Sequence, residues 1–192
     1  MKLQKPGAGL PQIEKGVIRY FLVPIVRVLF TWNIALLYLK SEVEKIKKLV
    51  ESLEKELLTK QPIIDRTFAI EDDSRRYSIN MVLEHLTITG TGVMGVIKTL
   101  SNEQEFTRAL TIEGVKANEN KQEQLKEFIE FYESYFSFIE NLPKIQSKAT
   151  KKHPWFVNFN NYDWNIFMFM HTFIHRRQIE AIIKKLGEQN VK

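Results

Sequence analysis

The chain has 192 residues, a formal net charge of +5, 44% hydrophobic and 27% charged residues, and no cysteine. This balance suits one globular domain with a sizeable core. The missing cysteine excludes disulfides, thiolate metal sites and cysteine nucleophiles, and it fits a reducing, cytoplasmic setting.

Residues 1–16 mix Gly and Pro with polar residues and read as a flexible arm, leaving 17–192 as a single helical domain. From Val17 to Leu39 the chain turns apolar, but no small-residue cleavage site follows as it would in a signal peptide. Arg19, Arg27 and Asn33 interrupt the run and Pro24 lies inside it, so it falls short of the roughly 18–20 consecutive apolar residues of a membrane span. The expectation is a buried N-terminal helix with Pro24 in its first turn. The segment is more apolar than a one-sided surface helix requires, which also predicts contact with a second copy in a homodimer.

Ser41-Glu-Val-Glu44 has capping-box spacing, either opening a helix or lying within a longer one. Val43, Ile46, Leu49, Val50, Leu53 and Leu57 then form an apolar stripe that stops near Gln61-Pro62. Ile63 to Arg76 keeps neither helical nor strand period and reads as a connector without chemistry. Ser78 is a candidate N-cap for the next helix, in which Met81 and His85 share a face. That helix continues toward Leu100 through Gly90, Gly92 and Gly95, which lower helix propensity or admit a close neighbour.

Ser101 to Glu119 is a polar connector, and Asn120-Lys-Gln-Glu123 offers a cap-and-box start. Leu125, Phe128, Ile129, Tyr132, Tyr135, Phe136, Ile139 and Leu142 make a wide apolar face before Pro143. The tyrosines are expected in the core with hydroxyls at its rim; contact of one with substrate is the alternative. Lys144 to Asp163 reads as a loop, and its basic run Lys148, Lys151, Lys152 as a solvated face. His153, ahead of Pro154, either packs beside Trp155 or reaches over a pocket as an extra ligand or proton carrier. No nucleic-acid motif with a readable signature occurs, so no nucleic-acid partner is expected.

Trp164 to Leu186 has helix length, no internal Gly or Pro, and Gly187 where a C-cap glycine belongs. Trp164, Met168, His171, His175 and Ile182 recur on one face. Imidazoles four residues apart project side by side, with Cβ atoms about 5–6 Å apart, and can converge on one metal ion. His171-Thr-Phe-Ile-His175 lacks the glutamate of the His-Glu-x-x-His motif, so a metalloprotease reading fails. Two histidines at the wet edge of a core helix remain the alternative for the pair. Gln178 lies on the same face, placed to enter the pocket or to hold a ligating ring.

The run Tyr77-Ser78, then Val82-Leu83-x-His85-Leu86, then His171-x-x-x-His175-Arg176-x-Gln178-Ile179 resembles the DinB/YfiT-like superfamily. His153-Pro154-Trp155-Phe156 is similar to a subgroup loop ahead of the last helix, with Val157 where that loop has glycine. The resemblance covers about residues 41–187 and leaves the N-terminal apolar helix outside it. It implies an all-α four-helix bundle with an additional N-terminal helix, and a divalent metal held by His85, His171 and His175. The residues alone give the adjacent pair, with His85 on the core-facing stripe of a different helix.

Three neutral imidazoles leave coordination positions open, and ligand type admits Zn, Ni, Fe, Mn or Co. The resemblance implies a metal-dependent transferase acting through a low-molecular-weight thiol as cosubstrate, with a hydrolase as a related possibility. The alternative is a non-catalytic metal-binding or stress-associated bundle. No catalytic general base is identifiable from the sequence.

Overall fold

The structure is a computed structural model and describes residues 3–5 and 7–190, so Met1, Lys2 and Pro6 of the expected arm lie outside the described residues. It is mostly helical: α1 (Gln12–Val17), α2 (Val23–Leu29), α3 (Trp32–Glu51), α4 (Ile79–Ser101), α5 (Gln124–Glu140) and α6 (Asn161–Asn190). The two-residue strands β1 (Lys151–Lys152) and β2 (Asn158–Phe159) pair antiparallel, Lys151 opposite Phe159. Helix α6 packs against α3 and α4, and α5 against α4 and α3, so the four long helices close a ring.

Apolar periodicity explains the ring. Helix α3 buries Trp32, Leu36, Leu39, Val43, Ile46 and Val50, and α5 buries Phe128, Tyr132, Tyr135 and Ile139. Helix α4 is apolar around most of its circumference, as suits a helix with neighbours on several sides. Each fully buried aliphatic or aromatic side chain contributes on the order of 1.5–3 kcal/mol. Polar ties fix the packing. The Tyr135 hydroxyl donates to Asn165 Oδ1 at 3.2 Å, and Asn165 Nδ2 donates to the Trp32 carbonyl at 3.1 Å, joining α5, α6 and α3. The tyrosine hydroxyls are therefore inside the core rather than at its rim; that of Tyr132 meets Thr172 Oγ1 at 2.8 Å.

The N-terminal segment departs most from expectation. Helix begins already at Gln12, and the arm ahead of it is anchored: Gly9 N–H donates to Glu71 Oε1 at 2.9 Å, and Leu10 is buried. Pro24 has no N–H for the Tyr20 carbonyl, and the chain widens into a π turn over Ile18–Leu22 just before it. The apolar run is not one helix. Phe30 is extended, Thr31 caps α3 by accepting from Ile34 N–H, and the chain bends by 105° there. Ile18 and Val23 face inward, but Ile13, Tyr20, Phe21, Ile25 and Val28 are exposed, so only one side of the segment is buried. Among the described residues, no single helix is long and apolar enough to cross a membrane.

Three boundaries also differ, and the Ser78 cap holds. Ser41 and Glu44 lie within α3, which ends at Glu51 rather than near Pro62. Ser78 does cap α4, accepting from Met81 N–H at 3.1 Å. Asn120 does not cap α5, which starts at Gln124; its carbonyl oxygen accepts from the Ser78 hydroxyl and its amide donates to the Thr59 carbonyl. Gly187 sits inside α6, which runs on to Asn190.

Candidate metal centre

Helix α6 projects His171 and His175 one turn apart, and α4 brings His85 opposite them. The ring centroids of His85 lie 5.0 Å from His171 and 4.6 Å from His175, and those of His171 and His175 are 4.4 Å apart. One nitrogen from each ring falls within 4.8 Å of the others, close enough to hold a metal ion. The three histidines read from the sequence are thus brought together. His153 is not part of the group.

Hydrogen bonds set the ring tautomers. His85 Nδ1 lies 2.6 Å from the Val115 carbonyl, which can only accept, so Nδ1 carries the proton and Nε2 a lone pair. Gln178 Nε2 donates to the Ser74 carbonyl at 2.7 Å, which turns Oε1 toward His175 Nδ1, also at 2.7 Å. His175 Nδ1 therefore donates, and its Nε2 also keeps a lone pair. Gln178, fully buried, holds the His175 ring, as its place on the helix face suggested.

His85 Nε2 and His171 Nε2 stand 3.2 Å apart. Two nitrogens bound at 2.0–2.1 Å to a tetrahedral ion stand roughly 3.3 Å apart. Burial pushes His85 down from 6.5 to about 4, against the opposing pull of the Val115 bond. His171 and His175 lie well below the usual histidine range, first through burial and then through the neighbouring imidazoles. All three are neutral near pH 7, which is the ligating form. The donor set, the spacing and the fixed tautomers of His85 and His175 fit a divalent cation with a face left open.

That face adjoins a cavity of about 870 Å³. Its wall near the histidines carries residues that no motif or spacing singled out. Glu71 and Ser74 come from the segment read as a chemistry-free connector, and Lys116 from the polar stretch after α4. Lys116 Nζ pairs with Glu71 Oε2 and donates to Ser74 Oγ at 3.1 Å. Glu71 Oε1 accepts from Gly9 N–H, so each carboxylate oxygen already has a partner. No local spacing rule links positions so far apart.

His153 is buried against Phe156, with ring centroids 4.4 Å apart and planes 9° from parallel, rather than beside Trp155. Its Nδ1 accepts from Trp155 N–H at 3.2 Å, and burial pushes it down to about 3. The Phe167 ring packs against both His153, at 4.9 Å, and His171, at 5.1 Å. Arg176 turns away from the pocket to pair with Glu42 and Glu180.

No protein-family model matches the chain, and no curated protein or solved structure matches it at a significant level.

Proposed function

We propose that the protein is a DinB/YfiT-like four-helix bundle that binds one divalent metal through His85, His171 and His175, and that it acts as a metal-dependent transferase on a small molecule, with a low-molecular-weight thiol as cosubstrate. The observation that carries this reading is the convergence of three neutral imidazoles within 4.8 Å at the wall of a large cavity. A purely structural metal site is closed by four protein ligands, whereas a site for chemistry keeps an open position. Here the described residues give three such ligands and a cavity on the free side. Zn, Ni, Fe or Mn all suit this donor set.

A bound divalent ion supplies Lewis acidity there, polarising a substrate group or lowering the pKa of a bound thiol or water. The chain's own residues do the rest. Val115 and Gln178 hold the His85 and His175 rings with their lone pairs inward. The lack of cysteine does not oppose the reading, since the thiol arrives with the cosubstrate. It also supports a cytoplasmic protein, and the exposed apolar face of the N-terminal segment supports a homodimer.

The test is metal content of the untagged protein after reconstitution with Zn, Ni, Fe and Mn, with His85→Ala alongside. About one equivalent in the wild type and loss in the variant are expected; less than about 0.2 equivalents in the wild type overturns the reading. A thiol-conjugation screen with loaded protein then separates a transferase from the second reading, a non-catalytic metal-binding or stress-associated bundle. Conjugation that survives metal removal rejects the transferase mechanism.

A further inference from the structure

The cavity beside the histidines is far larger than delivery of a water or a small thiol requires. Its volume of about 870 Å³ is at the upper end of pockets that enclose whole drug-sized molecules. Its walls are apolar for identifiable reasons. On α4, Thr87, Thr91 and Thr99 line it, yet each hydroxyl donates back to its own helix, to the carbonyls of Leu83, Thr87 and Gly95. On the other side, Ile18, Leu22 and Val26 of the N-terminal segment close the wall.

Most charged groups on the wall are already engaged, and the buried polar atoms without a partner there are few, Thr89 Oγ1 and Trp164 Nε1 among the described residues. Glu71 is paired with Gly9 and Lys116, one partner per oxygen, and Arg27 forks onto Asp163 at 2.9 and 2.8 Å. Glu105 and Arg108 are exposed at the rim. A polyhydroxylated guest would exchange its hydrogen bonds with water for walls that offer few. At the histidine end the balance reverses. The ligand set is three neutral imidazoles with no carboxylate among them, so a divalent ion held there keeps its full charge and favours an anionic donor.

From this we infer that the cavity binds an amphiphile, with an anionic donor such as a carboxylate or thiolate at the histidine end and an extended apolar body along α4. The donor half rests on the metal reading above; the apolar half stands on the cavity alone. Gly92 marks where the body lies: it lines the cavity, and a Cβ built there meets nothing within 4 Å.

The test is calorimetric titration of straight-chain carboxylates, thiols and matching alcohols of increasing length into zinc-loaded wild type, metal-free wild type, His85→Ala and Gly92→Leu, with a sugar-bearing thiol of similar bulk as counter-probe. Affinity in the wild type rises by roughly fourfold per methylene, the transfer value for a buried CH₂, until the cavity fills. Gly92→Leu, whose side chain enters that space, shortens the series, with metal content measured alongside to show an intact site. His85→Ala and the metal-free protein keep the chain-length slope but lose preference for the anionic head over the matching alcohol. A flat series in the wild type, or tighter binding of the sugar-bearing thiol than of the long alkyl thiol, overturns the apolar half. A slope without head-group preference in zinc-loaded protein overturns the donor half. Failure to take up metal with the slope intact sinks the metal reading and leaves the apolar half standing.

Discussion

Replacing Gln178 by alanine separates a residue that holds a ligand from one that merely fills the core. Gln178 is fully buried and makes two bonds, accepting from His175 Nδ1 and donating to the Ser74 carbonyl, both at 2.7 Å. The variant leaves the buried His175 Nδ1–H unpaired, costing about 1–3 kcal/mol, and removes one of two bonds to the Ser74 carbonyl, which still accepts from Tyr77 N–H at 3.1 Å. A loss of about 3 kcal/mol, about 2 for the unpaired N–H and about 1 for the lost bond to Ser74, lowers Tm by roughly 6–12 °C in a chain of this size. It also frees the His175 ring to rotate and to change tautomer, which weakens metal binding by about 10–100-fold. Asn165→Ala is the control: it removes two buried hydrogen bonds on the same helix, to Trp32 and from Tyr135, and touches none of the three histidines. Thermal melts in chelator measure the stability loss without metal linkage, and competition against a chromophoric chelator measures metal affinity. If the two variants melt comparably and bind metal within a factor of about three of each other, Gln178 is only a core residue and the reasoning fails.

The remaining predictions concern pH and assembly. His153 is held at about 3 by burial, against 6.5 when unfolded. Between these values the unfolded chain takes up a proton that the folded one refuses, so stability falls as pH drops from 6.5 toward 3, by up to about 1.4 kcal/mol per pH unit. His153→Gln flattens urea-unfolding stability across that window by one proton's worth; an unchanged slope refutes the assignment. Ile13 and Val28, 82% and 84% exposed, stand on one face with Tyr20, Phe21 and Ile25, which predicts a dimer through this face. Sedimentation should show a dimer that Phe21→Glu with Val28→Glu converts to monomer; a monomeric wild type at all concentrations removes the proposal.

What the sequence made legible is what a single helix writes into its own spacing. The pair His171 and His175, Gln178 beside them, and the cap at Ser78 all follow from offsets of three or four residues. The helical class was legible in the same way. The supports of the site were not. His85 is oriented by a carbonyl thirty residues on, and Lys116, Glu71 and Gly9 meet from three separate segments. Such contacts follow no period. The N-terminal run misled because apolar composition is continuous through Phe30, while the bend there is marked only by a threonine cap. Gly187 misled in the opposite sense, since a helix tolerates glycine at modest cost.

The glycines of α4 show how one helix serves packing and cavity at once. A Cβ at Gly90 would land 2.4 Å from the Phe131 ring and 3.1 Å from the Met168 methyl, so the missing side chain is what lets α5 and α6 approach. Two residues on, no such reason exists: Gly92 has open space where its Cβ would be, and Gly95 has only the Phe106 ring at 3.9 Å. Each glycine costs a helix interior about 1 kcal/mol relative to alanine. The loss at Gly90 is offset by close packing. At Gly92 and Gly95 nothing within the chain offsets it, and widening an apolar space further forfeits dispersion contacts along its walls. Both positions line the cavity that starts at His85, and the inferred apolar guest would supply the contacts that the chain itself lacks there.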